Sequence, residues 1–257
     1  MSVSPALIGL AQRLADASAT IVRDYFRVKL TIEDKADASP VTIADRAAEQ
    51  MMRQLITEVY PNHGIFGEEL GTLHRDADYL WVLDPIDGTK SFISGKPLFG
   101  TLISLLYQGK PILGIIDQPI LRERWLGGEG LPTTLNGLPV QVRTCPDLSQ
   151  AILYATSPHM FTGNDALAFN RLREKVKFPL YGCDCYAYAL LASGFIDLVV
   201  EASLSPYDYC ALIPIITGAG GIITDWQGQP LGLQSDGRVI AAADSRIYQQ
   251  ALDQLIL

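Results

Sequence analysis

The sequence predicts a layered α/β protein, and three observations carry that reading. Apolar residues recur at helical spacing near both ends of the chain, and the stretch from Thr101 to Gly127 has strand character throughout. Helices and strands also follow one another in blocks of several, which builds stacked layers, whereas a βαβ barrel needs strict alternation. With 257 residues, 48% hydrophobic and 19% charged, the chain can bury a large core as one α/β domain or two modest ones.

Leu7, Leu10, Leu14, Ile21, Val22 and Tyr25, with Ala11 and Ala17 between, predict a long amphipathic first helix. A loop is expected around Asp37 to Pro40. A second helix, from about Ala44 to Val59, turns Ala47, Ala48, Met51, Leu55 and Ile56 to one side, and Pro61 marks its end. Gly64 to Phe66 and Tyr79 to Leu83 read as short strands leading into carboxylates. TLISLLY, a turn through Gly109 and Pro111, ILGIID and RERWLGG continue the β pattern, with LPVQVRT and AILYATS as further strands. Beyond Tyr181 come a helix to about Ala192, strand IDLVVEA, a helix from Tyr207, strands GIITD and RVIAAAD, and the closing helix SRIYQQALDQLIL. Pro214 would cost ~3 kcal/mol inside the Tyr207 helix, so a kink or a late start is expected there. The GAGG run at Gly218 to Gly221 follows a helix, which makes it a helix exit and not a dinucleotide-binding turn.

A net charge of −8 and a pI near 4.8 argue against nucleic acid or anionic lipid as partners. The densest basic stretch, Arg171 to Lys177, includes Glu174 and reads as a solvated helix face. No apolar run approaches the ~20 residues that span a bilayer. Gln12, Arg13 and Asp16 break up the N-terminal apolar residues, so no signal peptide is expected and a cytoplasmic location is. Cys145, Cys183, Cys185 and Cys210 form no CxxC, and three histidines offer little to complete a zinc site; buried, reduced thiols are expected. His63, His74 and His159 are placed on the surface, and Trp81, Trp125 and Trp226 in the core.

The sharpest chemical signal is LWVLDPIDGTKSF. Two carboxylates, Asp84 and Asp87, leave a strand end within one tight turn and can converge on a hard cation such as Mg2+. Gly88 and Thr89 then offer backbone N–H groups for a phosphate at the start of a short helix. Taken alone this is equally an ordinary turn. GEE at Gly67 to Glu69 and PYDY at Pro206 to Tyr209 each place a further acid at an element end, and SPVTIAD places Asp45 near a helix start, where it also serves as an N-terminal helix charge.

Together these four segments, with GAGGIITD after the last, resemble the inositol monophosphatase-like phosphatases across residues 40 to 226. The resemblance implies an αβαβα sandwich of the inositol monophosphatase and fructose-1,6-bisphosphatase type. It implies one phosphatase domain over residues 1–257, in halves of about 1–138 and 139–257, and a homodimer. The metal ligands it implies are Glu68, Asp84, the backbone carbonyl of Ile86, Asp87 and Asp208, with Asp45 holding a catalytic Thr89 and Glu68 helping to orient water. The reaction implied is direct phosphoryl transfer from a small phosphate monoester to water, assisted by Mg2+.

Within the family, YGCDCYAYALLASG and DLVVEASLSPYDYCAL are similar to the histidinol-phosphate phosphatases. The substrate wall implied is Asp184, Cys185, Glu201 and Asp208. Its Asp184 and Glu201 suit L-histidinol, which carries an ammonium and an imidazole; of the two only Asp184 discriminates, because Glu201 also matches inositol-cleaving members. Asp184 also reads as a helix N-terminal charge, and Tyr186 and Tyr188 as packing residues. The alternatives are an inositol or broad-specificity sugar monophosphatase, and a regulatory RNA-associated protein that keeps the fold.

Overall fold

The computed structural model describes residues 3–29, 33–34 and 40–256. The loop expected around Asp37 to Pro40 falls, except for Pro40, outside the described residues. Helix α1 (Pro5–Tyr25) begins on Ser4, whose hydroxyl accepts from the Leu7 N–H, with Pro5 in the first turn, where its missing N–H costs nothing. Strands β1 (Glu33–Asp34) and β2 (Pro40–Val41) pair ahead of α2 (Ile43–Val59). Strands β3 (Gly64–Gly67), β4 (Gly71–Leu73) and β5 (Tyr79–Asp87) precede the one-turn helix α3 (Thr89–Ile93). An antiparallel run follows: β6 (Gly100–Tyr107), β7 (Lys110–Gln118), β8 (Glu123–Gly128), β9 (Leu131–Leu135) and β10 (Leu138–Pro139). The remainder comprises β11 (Ile152–Ala155), α4 (Gly163–Arg173), β12 (Phe178–Tyr181), α5 (Cys185–Ala192) and β13 (Leu198–Glu201), then α6 (Pro206–Tyr209), α7 (Leu212–Gly218), β14 (Ile222–Thr224), β15 (Val239–Ala242) and α8 (Ser245–Leu255).

The strands form an eight-stranded sheet, ordered β10-β9-β8-β7-β6-β5-β3-β4, and a five-stranded sheet, ordered β12-β11-β13-β15-β14. Strand β5 shows how the layers arise, because its side chains alternate between faces. Trp81 and Leu83 pack with α1 and α2, whereas Leu80 and Val82 pack with α5 and α7. Val199 and Ala241 of the smaller sheet join that second cluster, so α5 and α7 lie between the sheets. Leu198, Val200 and Ala242 face outward onto α4 and α8. The stack is helix, sheet, helix, sheet, helix, as the resemblance implied. Close approach of α7 to the larger sheet requires Gly114, where a Cβ would stand 2.0 Å from the Ala211 carbonyl oxygen.

Several local expectations are corrected. LPVQVRT contributes only the two residues of β10, and the rest of it is irregular. On α2 the buried face is Ala44, Asp45, Ala48, Glu49, Met52 and Ile56, while Met51 is exposed; the stripe is rotated because it contains two acids that an apolar pattern leaves out. The helix expected from Tyr207 is split into α6 and α7, with Pro214 in the first turn of α7, as its chemistry requires. His63 is half-buried, stacked on Tyr60 and Tyr79, and its Nδ1 accepts from Trp81 Nε1 at 3.2 Å. All four cysteines are free and buried, and the three tryptophans are core residues. Among the described residues no helix is long and apolar enough to cross a membrane.

Candidate active site

The end of β5 carries the first two acids. In a regular strand Asp84 and Asp87, three residues apart, would face opposite sides of the sheet. The pairing with β6 runs Asp84 to Leu102 and then Asp87 to Gly100, so β5 holds one extra residue between them. This bulge brings both carboxylates to the side facing the middle layer. Pro85 fits there because a bulged residue needs no ladder N–H. The Pro85 carbonyl accepts from Thr101 Oγ1 at 2.8 Å, and that hydroxyl lies 3.0 Å from Ser18 Oγ of α1, which pins the bulge from behind.

Asp208 arrives from the other half, on the first turn of α6, where its Oδ2 accepts from the Ser205 N–H at 2.7 Å. Asp84, Asp87 and Asp208 each offer an oxygen within 4.8 Å of the others'. Among the described residues no lysine or arginine forms an ion pair with any of the three. Glu68 stands beside the triad, close enough to Asp84 to add to the repulsion on it. Burial, then Glu68, Asp87 and Asp208, raise the pKa of Asp84 well above the usual carboxylate range. Burial, then Asp184 and Asp208, do the same to Asp87. Asp208 is pushed up to about 7, chiefly by burial. Crowded oxygen donors that repel one another, with no cation of the described residues paired to them, fit a hard divalent ion.

The expected pairing of Asp45 with Thr89 is not made. Asp45 sits at the third position of α2 and its Oδ2 accepts from the Thr42 N–H and hydroxyl, at 2.9 and 2.6 Å, in a capping box. Its Oδ1 is buried with no partner. The Thr89 hydroxyl donates instead to the Ile86 carbonyl at 3.1 Å, the same carbonyl the resemblance assigns to a metal. Gly88, at φ 89°, starts α3, and a Cβ there would lie 2.8 Å from Asp184 Oδ2.

All four expected wall residues, Asp184, Cys185, Glu201 and Asp208, line one cavity of about 70 Å3, together with Asp87, Thr156, Met160, Tyr188 and Leu204. The Cys185 N–H donates to Asp87 Oδ2 at 2.5 Å, tying the start of α5 to the bulge. Asp184 precedes α5 but does not cap it; its Oδ2 accepts from Ser91 Oγ at 3.1 Å. Cys183 and Asp184 hold φ of 80° and 44°, a strained pair that turns the Asp184 carboxylate away from the helix start. Glu201 ends β13, where its oxygens accept from the Thr156 N–H and the Tyr188 hydroxyl, both at 2.9 Å. Tyr188 is thus a buried partner of Glu201, and Tyr186 packs edge-on against Trp125 and bonds Glu123. Sequence reading missed Glu49, which the apolar stripe expected on α2 turns toward solvent and the observed face buries.

The model of the inositol monophosphatase family matches residues 6–256. The chain belongs to that family. It is 59% identical over 251 residues to the chloroplastic bifunctional phosphatase IMPL2 of Arabidopsis thaliana, covering 94% of this chain and 72% of that protein. A histidinol-phosphatase of Chlorobaculum parvum is 36% identical over 234 residues, 90% of each chain. In structure the chain is similar to an inositol monophosphatase from Zymomonas mobilis, with a TM-score of 0.92, 51% identity and 100% of both chains covered. Like these family members, the protein is a phosphoric monoester hydrolase.

Proposed function

We propose that the protein is an Mg2+-dependent histidinol-phosphate phosphatase, releasing L-histidinol and phosphate by direct attack of water. The observation that carries the substrate choice is Asp184, turned from its own helix into the cavity it shares with Glu201 and Asp208. Two acids on one wall favour an ammonium and accept from an imidazole N–H; a neutral polyol gains far less from them. The histidinol-phosphatase relative from Chlorobaculum parvum supports the same choice.

Asp84, Asp87, Asp208, Glu68 and the Ile86 carbonyl would hold the metal. Bound Mg2+ supplies charge for the phosphoryl oxygens and the leaving alkoxide and acidifies a coordinated water. The N–H groups of Gly88 and Thr89 face the phosphate in this reading. The unpartnered Oδ1 of Asp45 is the acceptor for Thr89 in the working enzyme. Ala44 and Ala48 of α2 pack with Ile86 and Phe92, each three residues from Thr89, which supports this pairing. With its proton given to Asp45, in hydrogen-bonding terms, the Thr89 oxygen is free to accept from and orient the attacking water, with Glu68 nearby.

We carry three further expectations as proposals. The described halves form one domain, two chains form a homodimer, and the protein works in a reducing, cytoplasm-like compartment. Phe178, Leu180 and Tyr181, exposed on edge strand β12, support the second, and four buried thiols support the third.

An inositol or sugar monophosphatase with the same metals is the second reading, supported by the likeness to the Zymomonas mobilis protein. The test assays purified protein on histidinol phosphate and inositol 1-phosphate, with Mg2+ and with EDTA. Histidinol phosphate is the better substrate, and EDTA abolishes turnover of both. Asp184→Ala raises KM for histidinol phosphate about tenfold, the worth of one charge-assisted hydrogen bond, and leaves KM for the neutral ester nearly unchanged. Preference for inositol 1-phosphate, or equal effects on both substrates, overturns the substrate assignment.

A further inference from the structure

The turn that presents Glu68 is held by a buried acid one helical turn beyond Asp45, on the same face of α2. Glu49 is fully buried. Its Oε2 accepts from the Glu69 N–H at 2.7 Å, and its Oε1 accepts from the Leu70 N–H at 3.1 Å and from Arg53 Nε at 2.7 Å. Arg53 in turn donates to the Gly71 carbonyl, so α2 grips both sides of the connection between β3 and β4. The fit leaves no slack at Gly67, where a Cβ would lie 1.9 Å from Glu49 Oε1. The φ of Gly67 lies outside the left-handed range, so the carboxylate alone excludes a larger residue there.

We propose that Glu49 is a positioning residue for Glu68, fixing the turn so that the Glu68 carboxylate stands against Asp84. This rests on the reading of Glu68 and Asp84 as metal ligands. Two successive N–H groups of the turn converge on one carboxylate, which only an ionised acid can satisfy together with Arg53. Glutamine at this position turns an amide N–H toward one of those donors, and the turn must shift to avoid it. Loss of such outer-sphere support costs about 10–100-fold in metal affinity. Glu49 and Gly67 meet in one clamp, so substitution at either releases the same turn.

The experiment is calorimetric titration with MgCl2, without substrate, of the wild type, Glu49→Gln, Gly67→Ala, their double variant and Glu68→Gln, each checked for folding by circular dichroism. Glu49→Gln and Gly67→Ala each weaken Mg2+ binding about tenfold, and the double variant is no weaker than either, because both release one clamp. With saturating Mg2+, KM for the phosphate ester stays at the wild-type value. Gly67→Ala displaces the carboxylate without removing it, so it carries the test even if Glu49→Gln does not fold. Wild-type affinity in the folded clamp variants, beside a weakened Glu68→Gln, removes the positioning role and leaves the metal site standing. Wild-type affinity in Glu68→Gln removes the metal-ligand reading underneath it.

Discussion

Asp197 and Asp244, at the margins of the five-stranded sheet, each face an arginine, whereas Asp84, Asp87 and Asp208, between the two sheets, face one another. Arg143 grips Asp197 with two bonds of 2.7 and 2.5 Å, and Asp197 also accepts from the Ile152 N–H at the start of β11. Arg246 holds the Asp244 carboxyl down at about 2. In the other group burial and mutual repulsion act the opposite way, and Asp208 reaches about 7. Asp197, Asp244 and Asp84 are buried and Asp87 and Asp208 half-buried; among the described residues only the first group is neutralised by arginine. The paired acids fasten strands, and the crowded acids store a repulsion that a cation, if bound, would relieve.

The largest effect expected from this contrast is at the crowded group. Asp84→Asn lowers the metal-dependent rate by more than about 100-fold, beyond the usual cost of losing an outer-sphere partner. Its metal-free form melts above the metal-free wild type, because one repelling charge is gone. Assays and melts in EDTA check both halves, and a variant that is both active and less stable breaks the contrast. Next in size, Asp197→Asn costs about 2 kcal/mol of stability, because the buried carboxylate loses its charge-assisted bonds from Arg143 and the Ile152 N–H. Its Mg2+ requirement stays at the wild-type level; denaturant melts and metal titration together test that separation.

The smallest effect sharpens the comparison with a group outside both sets. Burial holds the His63 pKa below its ordinary 6.5, so the folded protein favours the neutral ring that accepts from Trp81. The unfolded chain takes up that proton first as pH falls. The contribution of His63 is therefore complete above 6.5 and is lost as pH drops through that value toward the lower folded one. Between about pH 7 and 5 the Tm of His63→Gln falls less than that of the wild type. Parallel melting curves across that range would remove His63 as the cause.

Residues whose local chemistry matched their role were legible before folding. Asp84 and Asp87 announce converging acids, although β5 runs on through Asp87 and a bulge does what the expected turn was to do; Pro214 announces a break in its helix, a constraint that lies within a few bonds of the residue. The five-layer order was legible mainly through resemblance, since periodicity alone does not say which sheet a helix covers. Glu49 was hidden, and the face of α2 was misjudged with it, because a hydrophobic stripe assigns acids to solvent and nothing local reveals the turn that Glu49 holds. His63 was misplaced for the same reason: its partners Tyr60, Tyr79 and Trp81 come together only when β3 and β5 pair. The hydroxyl of Thr89, turned to Ile86 instead of Asp45, is a detail of hydrogen-bond competition that sequence does not record.

The central claim is that the crowded carboxylates are completed by a divalent cation, and thermal melting against Mg2+ concentration tests it most directly. Wild-type protein stripped with EDTA should gain stability steadily as Mg2+ is restored, by about 2.7 kcal/mol at a hundredfold excess over Kd, and Asp208→Asn should gain far less. A wild-type melting curve indifferent to Mg2+, or an equal gain in both proteins, would contradict it.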